Sequence, residues 1–156
     1  KTAQNILIKA RNKKCKIILP IDAVCSKNLK NNADILECNI NSIPKDKMIL
    51  DIGENTIKLV CNEILKCRSV LWNGPLGAFE FIPFEKSSIE IANQIKNSFK
   101  ELNFVSLAGG GDTLSVINLA KAKDGFNYLS NAGGAFLEWL EGDKSPGYIA
   151  LEKNKL

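Results

Sequence analysis

Three glycine-rich turns hold most of the chemistry this sequence can offer. In Gly109-Gly110-Gly111-Asp112-Thr113 the glycines let the backbone approach a ligand closely, and the helix expected to follow presents unpaired N–H groups and the positive end of its dipole. This is a cradle for an anion with an acid at its rim. Asp112 either holds Mg2+ between phosphates or simply caps the helix, and Thr113 offers a hydroxyl and an N–H to a phosphate oxygen. In Asn73-Gly74-Pro75-Leu76-Gly77-Ala78-Phe79-Glu80, Gly74 and Gly77 leave room for a flat ring or a phosphate. Glu80 reads either as an acceptor for ribose hydroxyls or as a solvated side chain after an Asn-Gly-Pro turn. Asn131-Ala132-Gly133-Gly134-Ala135 repeats the anion geometry with two glycines.

Neither standard nucleotide fingerprint is present. Leu114 stands where GxGxxG needs its third glycine, and GxxxxGK[ST] does not occur. The chain has no histidine, which excludes Ser-His-Asp and Cys-His nucleophilic systems, HExxH zinc sites and any imidazole acid–base step built from these residues alone. Cys15, Cys25, Cys38, Cys61 and Cys67 are an odd set without a CxxC pair, so they read as reduced thiols of a cytoplasmic protein.

The turns must be held by regular elements, and the sequence supplies an alternation of them. Ser69 to Trp72 reads as a strand before the Asn73 turn, Phe104 to Leu107 as a strand before the Gly109 turn, and Phe126 to Leu129 as a strand before the Asn131 turn. After the turns come helical patterns: Ile89, Ala92, Ile95, Phe99 and Leu102 on one stripe, then Thr113 to Ala120, then Ala135 to Glu141. Upstream, a helix is expected over Thr2 to Lys13, a buried strand over Lys16 to Pro20, and weaker strands over Ala33 to Cys38 and Lys47 to Leu50. The turn Asp51-Ile52-Gly53-Glu54-Asn55 then leads to a helix through Ile57, Val60, Cys61, Ile64 and Leu65. Trp72, Trp139 and the phenylalanines read as core rather than as stacking platforms. Strand, glycine turn and helix in repetition predict an α/β fold, a Rossmann-like three-layer parallel sheet with helices on both faces and ligands at the carboxyl ends of its strands.

Composition agrees with one such domain over residues 1–156: hydrophobic residues are 45 % and charged residues 24 % of 156. The formal charge of +4 comes from scattered lysines, with Arg11 and Arg68 as the only arginines, and no basic stripe interleaved with aromatics predicts a nucleic-acid partner. No apolar run approaches the roughly 18 residues of a membrane span, so a soluble protein is expected. The chain opens at Lys1 inside a helical pattern, as a stretch of a longer fold would.

At this point the motifs coincide with a family. Trp72-Asn73-Gly74-Pro75-Leu76-Gly77-Ala78-Phe79-Glu80, Gly109 to Thr113, Ser130 to Glu138, Leu140-Glu141-Gly142 and Pro146-Gly147 resemble, in order and spacing, the C-terminal domain of phosphoglycerate kinases. Leu19-Pro20-Ile21-Asp22 and Leu50-Asp51-Ile52-Gly53 are similar to further landmarks of that domain. The resemblance implies a glycolytic enzyme that moves a phosphoryl group reversibly between 1,3-bisphosphoglycerate and ADP, or ATP and 3-phosphoglycerate, with Mg2+. It implies a monomer of two Rossmann-like domains, of which the N-terminal, glycerate-binding one and the start of the nucleotide-binding one are absent from this sequence. Carried over by motif, Asn73, Gly74, Pro75 and Ala78 lie along the nucleotide and Glu80 holds the ribose. Asp112 binds the metal, Gly109, Gly110, Gly111 and Thr113 face the phosphates, and Gly110, Gly133 and Gly134 meet the transferred group.

Four positions depart from the family pattern. Ile49 stands where the family has a glycine beneath the adenine, Glu54 replaces a proline, Asn131 a threonine, and Ala132 the first glycine of its triplet. The expectation is therefore a kinase whose nucleotide side this chain supplies without being active alone. The alternatives are a non-catalytic nucleotide-binding fragment and an inactive remnant.

Overall fold

The computed structural model describes residues 1–101, 104–142 and 144–154. Helix α1 spans Thr2–Asn12. Three short strands follow, β1 (Asp22–Ser26), β2 (Leu36–Asn39) and β3 (Met48–Ile52), and then helix α2 (Glu54–Ile64). The second half alternates strictly: β4 (Ser69–Asn73), α3 (Lys86–Glu101), β5 (Val105–Gly109), α4 (Gly111–Leu119), β6 (Tyr128–Ser130), α5 (Gly134–Glu141) and α6 (Pro146–Lys153).

The parallel α/β arrangement expected from the alternation is present as the sheet β4-β5-β6. Parallel neighbours need a crossover, and α3 and α4 supply the two. Trp72, Ala108 and Leu129 share one face of this sheet, and α3 and α4 close over it with Ile91, Ala92, Ile95, Val116 and Ile117. Trp72 stacks on Phe126 with ring centroids 6.4 Å apart. Leu71, Leu107 and Tyr128 share the opposite face, where Leu71 and Tyr128 are exposed and line an apolar groove of about 290 Å³. Helices α3 and α4 thus cover one side of the sheet, whereas the helical layer expected on the other face is not formed among the described residues, where beyond the strands only Ala132 and Ala135 join the groove lining.

Two further expectations differ from the structure. The run Lys16 to Pro20 is not a strand: no described strand lies beside it, Pro20 has no N–H to donate, and Ile17 and Leu19 are exposed. The strand lies a few residues later at β1, all five residues of which are buried. Its polar ends, Asp22 and Ser26, mask it in the sequence. Moreover, β1 is the centre of a separate antiparallel sheet, β2-β1-β3, rather than a continuation of the parallel one. Val24, Ala33, Leu50 and Phe84 form a small second core beneath it.

Of the aromatics, Trp72, Phe84, Phe104 and Phe126 are buried as expected, whereas Trp139 on α5 is 59 % exposed. Helix α6 was not foreseen; Ser145 accepts a hydrogen bond from the Tyr148 N–H and Pro146 occupies its first turn, a regular helix start. Neither α1 nor α6 has a buried residue. Leu102, expected on the α3 stripe, lies outside the described residues. No helix among the described residues is long and apolar enough to cross a membrane.

Candidate functional site

The register of the parallel sheet brings the expected residues together. Asn73, Gly109 and Ser130 are aligned partners, so β4, β5 and β6 end at one level and release their glycine turns side by side. Gly110 continues from β5 with φ +97°, a conformation that glycine alone adopts without strain, while its N–H donates to the Ser130 carbonyl at 3.0 Å. A side chain at Gly133 would meet the Gly110 Cα at 3.1 Å and the Asn73 Oδ1 at 3.2 Å. The turns before α4 and α5 therefore touch, with the Asn73 carboxamide packed between them. A Cβ at Gly109 would come within 3.3 Å of the same Oδ1, so three glycines make room for one asparagine.

Two helix N-termini are consequently juxtaposed. The first intrahelical bonds are Leu114 N–H to Gly110 O and Leu137 N–H to Gly133 O. The N–H groups of Gly111, Asp112 and Thr113, and those of Gly134 and Ala135, precede them and carry the positive ends of both dipoles. A Cβ at Gly111 or Gly134 would meet nothing within 4 Å, so the space before each helix is open. Asp112 is exposed on the first turn of α4 and makes no hydrogen bond or ion pair with another described residue.

The turn after β4 is held firmly. The Gly74 N–H donates to Thr113 Oγ1 at 2.8 Å, and the Trp72 indole N–H donates to the Gly74 carbonyl at 2.8 Å. Thr113 also has a structural task that its position in the sequence does not announce. Its hydroxyl is buried and ties α4 to the Asn73 turn by accepting this bond, and its own proton and the backbone N–H remain as donors. Further along, Leu76 N–H donates to Ser88 Oγ, Ser88 Oγ donates to the Leu76 carbonyl, and the Ala78 N–H donates to the Leu50 carbonyl. Pro75 and Ala78 lie on this braced loop, and Glu80 is exposed at its end without a hydrogen bond or ion pair among the described residues.

The residues that sequence reasoning missed are those that do the bracing. Asp51 at the end of β3 accepts from the Ile52 N–H, the Ser87 N–H and the Ser87 hydroxyl, joining β3 to the start of α3. Gly77 is forced to be glycine beside it, with φ +67° and the Asp51 Oδ1 and Phe84 carbonyl each 2.5 Å from any Cβ. Burial pushes the Asp51 carboxyl above its usual value, and the Ser87 and Ile52 hydrogen bonds offset part of this. Asp22 performs the corresponding task for α2, accepting from the Asn55 and Thr56 N–H groups and the Thr56 hydroxyl. Burial opposes its charge, but the hydrogen bonds together outweigh burial and hold the carboxyl below its usual value. The Ser87-Ser88 doublet at a helix start was the readable signal for the α3 brace. Nothing local marks Asp22 as a cap for a helix more than thirty residues away.

Beside the braced loop, Ile49, Leu50, Asp51, Ile52, Gly77 and Ala78 line a shallow groove of about 280 Å³. Ile49 contributes a branched side chain to this lining and is 54 % exposed.

Comparison with known proteins bears on this geometry. The family model described as phosphoglycerate kinase matches residues 1–143. The chain is 44 % identical over 152 residues to a phosphoglycerate kinase of Chelativorans sp. (strain BNC1), a match over 97 % of this chain and 38 % of that protein. It is 45 % identical over 150 residues to one of Methylorubrum extorquens (strain PA1), over 96 % and 38 %. The structure of phosphoglycerate kinase from Coxiella burnetii superposes with a TM-score of 0.84 at 33 % identity, over 91 % of this chain and 36 % of that one. The enzyme from Pyrococcus horikoshii OT3 matches in fold, with a TM-score of 0.69 at 23 % identity. The chain spans well under half the length of the relatives it matches.

Proposed function

Because the chain belongs to the phosphoglycerate kinase family, we propose that it supplies the ATP/ADP side of reversible phosphoryl transfer between ATP and 3-phosphoglycerate, as a single partial nucleotide-binding domain. One observation carries the reading: β4, β5 and β6 end in register at three glycine turns, and two of these present helix N-termini in contact with each other and with Asn73. Phosphoryl transfer asks for positioning and charge stabilisation, with no imidazole required, and this arrangement offers both.

The roles follow the placement. Asn73, Gly74, Pro75 and Ala78 line the path of the nucleotide, Glu80 accepts from its ribose hydroxyls, and the groove at Ile49 receives its base. The N–H groups of Gly111, Asp112 and Thr113 hold phosphate oxygens. Gly110, Gly133 and Gly134 form the floor where the transferred group passes, and the α5 N-terminus steadies charge that develops on it. No group of three or more His, Cys, Asp or Glu side chains gathers among the described residues. A lone exposed Asp112 suits Mg2+, which keeps most of its waters and takes its other ligands from phosphates. Asp112 would hold the ion there, and the ion would supply positive charge against the phosphates. The acceptor 3-phosphoglycerate is assigned to the part of the relatives' length that this chain does not span. The whole enzyme is read as a cytoplasmic, monomeric glycolytic transferase.

A second reading, a remnant whose base site is closed, is favoured by the branched side chain that Ile49 adds to the lining of that groove. Thermal unfolding with and without Mg-ADP separates the two. At a hundred times its dissociation constant a ligand adds about 2.7 kcal/mol, and each kcal/mol moves the midpoint by roughly 2–4 °C at this size. An upward shift of that order is the expected result. A cooperative melt that ignores Mg-ADP but shifts in the Ile49→Gly variant assigns the loss to that side chain, and one that shifts in neither removes the nucleotide assignment.

A further inference from the structure

Cys25 and Cys38 take no part in the site described above, yet they are placed as a pair. They lie on adjacent antiparallel strands, Cys25 opposite Leu36 and Cys38 opposite Ala23, so the two side chains are diagonal neighbours on one face of the sheet. Their sulfurs are 3.8 Å apart. Cys25 is fully enclosed, whereas Cys38 is partly open to solvent and borders a small polar cleft with Asp22, Glu37 and Asn55. It is the only thiol–thiol contact recorded among the described residues, since Cys67 Sγ turns to the Glu63 carbonyl and Cys15 stands exposed on its own.

We propose that Cys25 and Cys38 are a peroxide-sensitive dithiol, a modification site that closes to an intrachain disulfide across β1 and β2. The accessible partner reacts first. The Cys38 thiolate attacks the distal oxygen of a hydroperoxide; an S–O bond forms, the O–O bond breaks, and the alkoxide or hydroxide leaves as alcohol or water after taking up a proton. Cys38 is now a sulfenic acid, oxidised by two electrons. The Cys25 sulfur then attacks the Cys38 sulfur, an S–S bond forms, and the hydroxyl departs with the Cys25 proton as water. Closing the pair brings the sulfurs from 3.8 Å to about 2.05 Å, and because diagonal positions lie near the far limit of a disulfide's span the two strands must draw together as the side chains rotate. Burial and the neighbouring Cys38 sulfur hold the Cys25 thiol protonated in the resting state, and Lys47 opposes them, so the buried member resolves the sulfenic acid and is not itself the peroxide sensor.

The test is peroxide treatment of the native protein, followed by alkylation of remaining thiols, unfolding and peptide mapping. Expected is a cross-link between tryptic peptides 17–27 and 31–45 in a protein that stays monomeric on a non-reducing gel, with both thiols returned together by dithiothreitol. In Cys25→Ala the sulfenic acid has no resolving partner, and Cys38 becomes labelled by dimedone. In Cys38→Ser, Cys25 remains alkylatable after unfolding. Should Cys25→Ala not fold, the wild-type cross-link alone decides. Persistent dimedone labelling of wild-type Cys38 with Cys25 still free overturns the proposal. So does a cross-link to Cys15, Cys61 or Cys67, a link between two chains, or no reaction at all.

Discussion

Four carboxylates beside the strand ends and turns divide into two regions that differ in how fully they are satisfied. At the ends of the antiparallel strands, Asp22 and Asp51 are 8 % and 3 % exposed, and each accepts three hydrogen bonds from a neighbouring helix start or strand end. At the glycine turns, Asp112 and Glu80 are exposed, with no partner among the described residues. A carboxylate whose lone pairs are used up within the chain is a tie, and its loss is felt as stability. A carboxylate held at the rim of a braced loop with its oxygens free is available to a ligand, and its loss is felt as affinity.

Breaking a tie should give the largest effect. Asp22→Ala strands the N–H groups of Asn55 and Thr56 at the start of α2 beneath β1, and hydrogen bonds to a charged group are each worth about 1.5–3 kcal/mol. We expect a loss of about 3 kcal/mol at pH 7, read as a drop of roughly 6–12 °C in Tm. The folded carboxyl titrates below its unfolded value of about 3.9, so its contribution is present above that pH and fades as pH falls through the folded value. The gap between parent and variant should therefore narrow in acid; a gap that widens would contradict the tie. Asp51 has the opposite sign. Its raised carboxyl takes a proton in the folded state first and gains stability as pH falls toward the unfolded value.

The free carboxylate at the cradle should behave otherwise. Asp112→Ala removes an exposed side chain, so stability should stay within about 0.5 kcal/mol of the parent, roughly 1–2 °C in Tm. Under the nucleotide reading, calorimetric titration should show Mg-ADP weakened by about thirtyfold, or about 2 kcal/mol, with ADP in EDTA unchanged. Equal affinities for parent and variant in Mg2+ would leave Asp112 as a helix-start residue only.

How much of this was legible in the sequence follows the same division. The turns at Asn73, Gly109 and Asn131 could be read because glycine clusters between an apolar run and a 3.6-residue stripe are a local signal, and the strands and helices around them fell within a few residues of expectation. The ties could not. Asp22 and Thr56 are 34 residues apart, and only the fold makes them neighbours. The same holds for Asp51 with Ser87, and for Thr113 with Gly74. β1 was missed because its buried ends are polar, and Lys16 to Pro20 was overread because an apolar run is a strand only where another strand meets it.

Glu80 gives the smallest expected effect and the sharpest discrimination. It ends a loop fixed by Ser88 at Leu76, by Thr113 at Gly74 and by Leu50 at Ala78, so replacing it changes chemistry without moving the backbone. Glu80→Gln keeps the shape and one acceptor oxygen but loses the charge, which weakens a pair of hydrogen bonds from vicinal hydroxyls by about 1 kcal/mol, some fivefold in affinity. Because the residue faces a ribose in this reading, the loss should appear with ADP and with adenosine, and should be absent with pyrophosphate, which lacks the sugar. Asp112→Ala predicts the converse pattern, a loss with Mg-pyrophosphate and none with adenosine. If both variants lose affinity for the same ligands by the same factor, the two carboxylates are not at opposite ends of one nucleotide, and the division between sugar and phosphate along the strand ends fails.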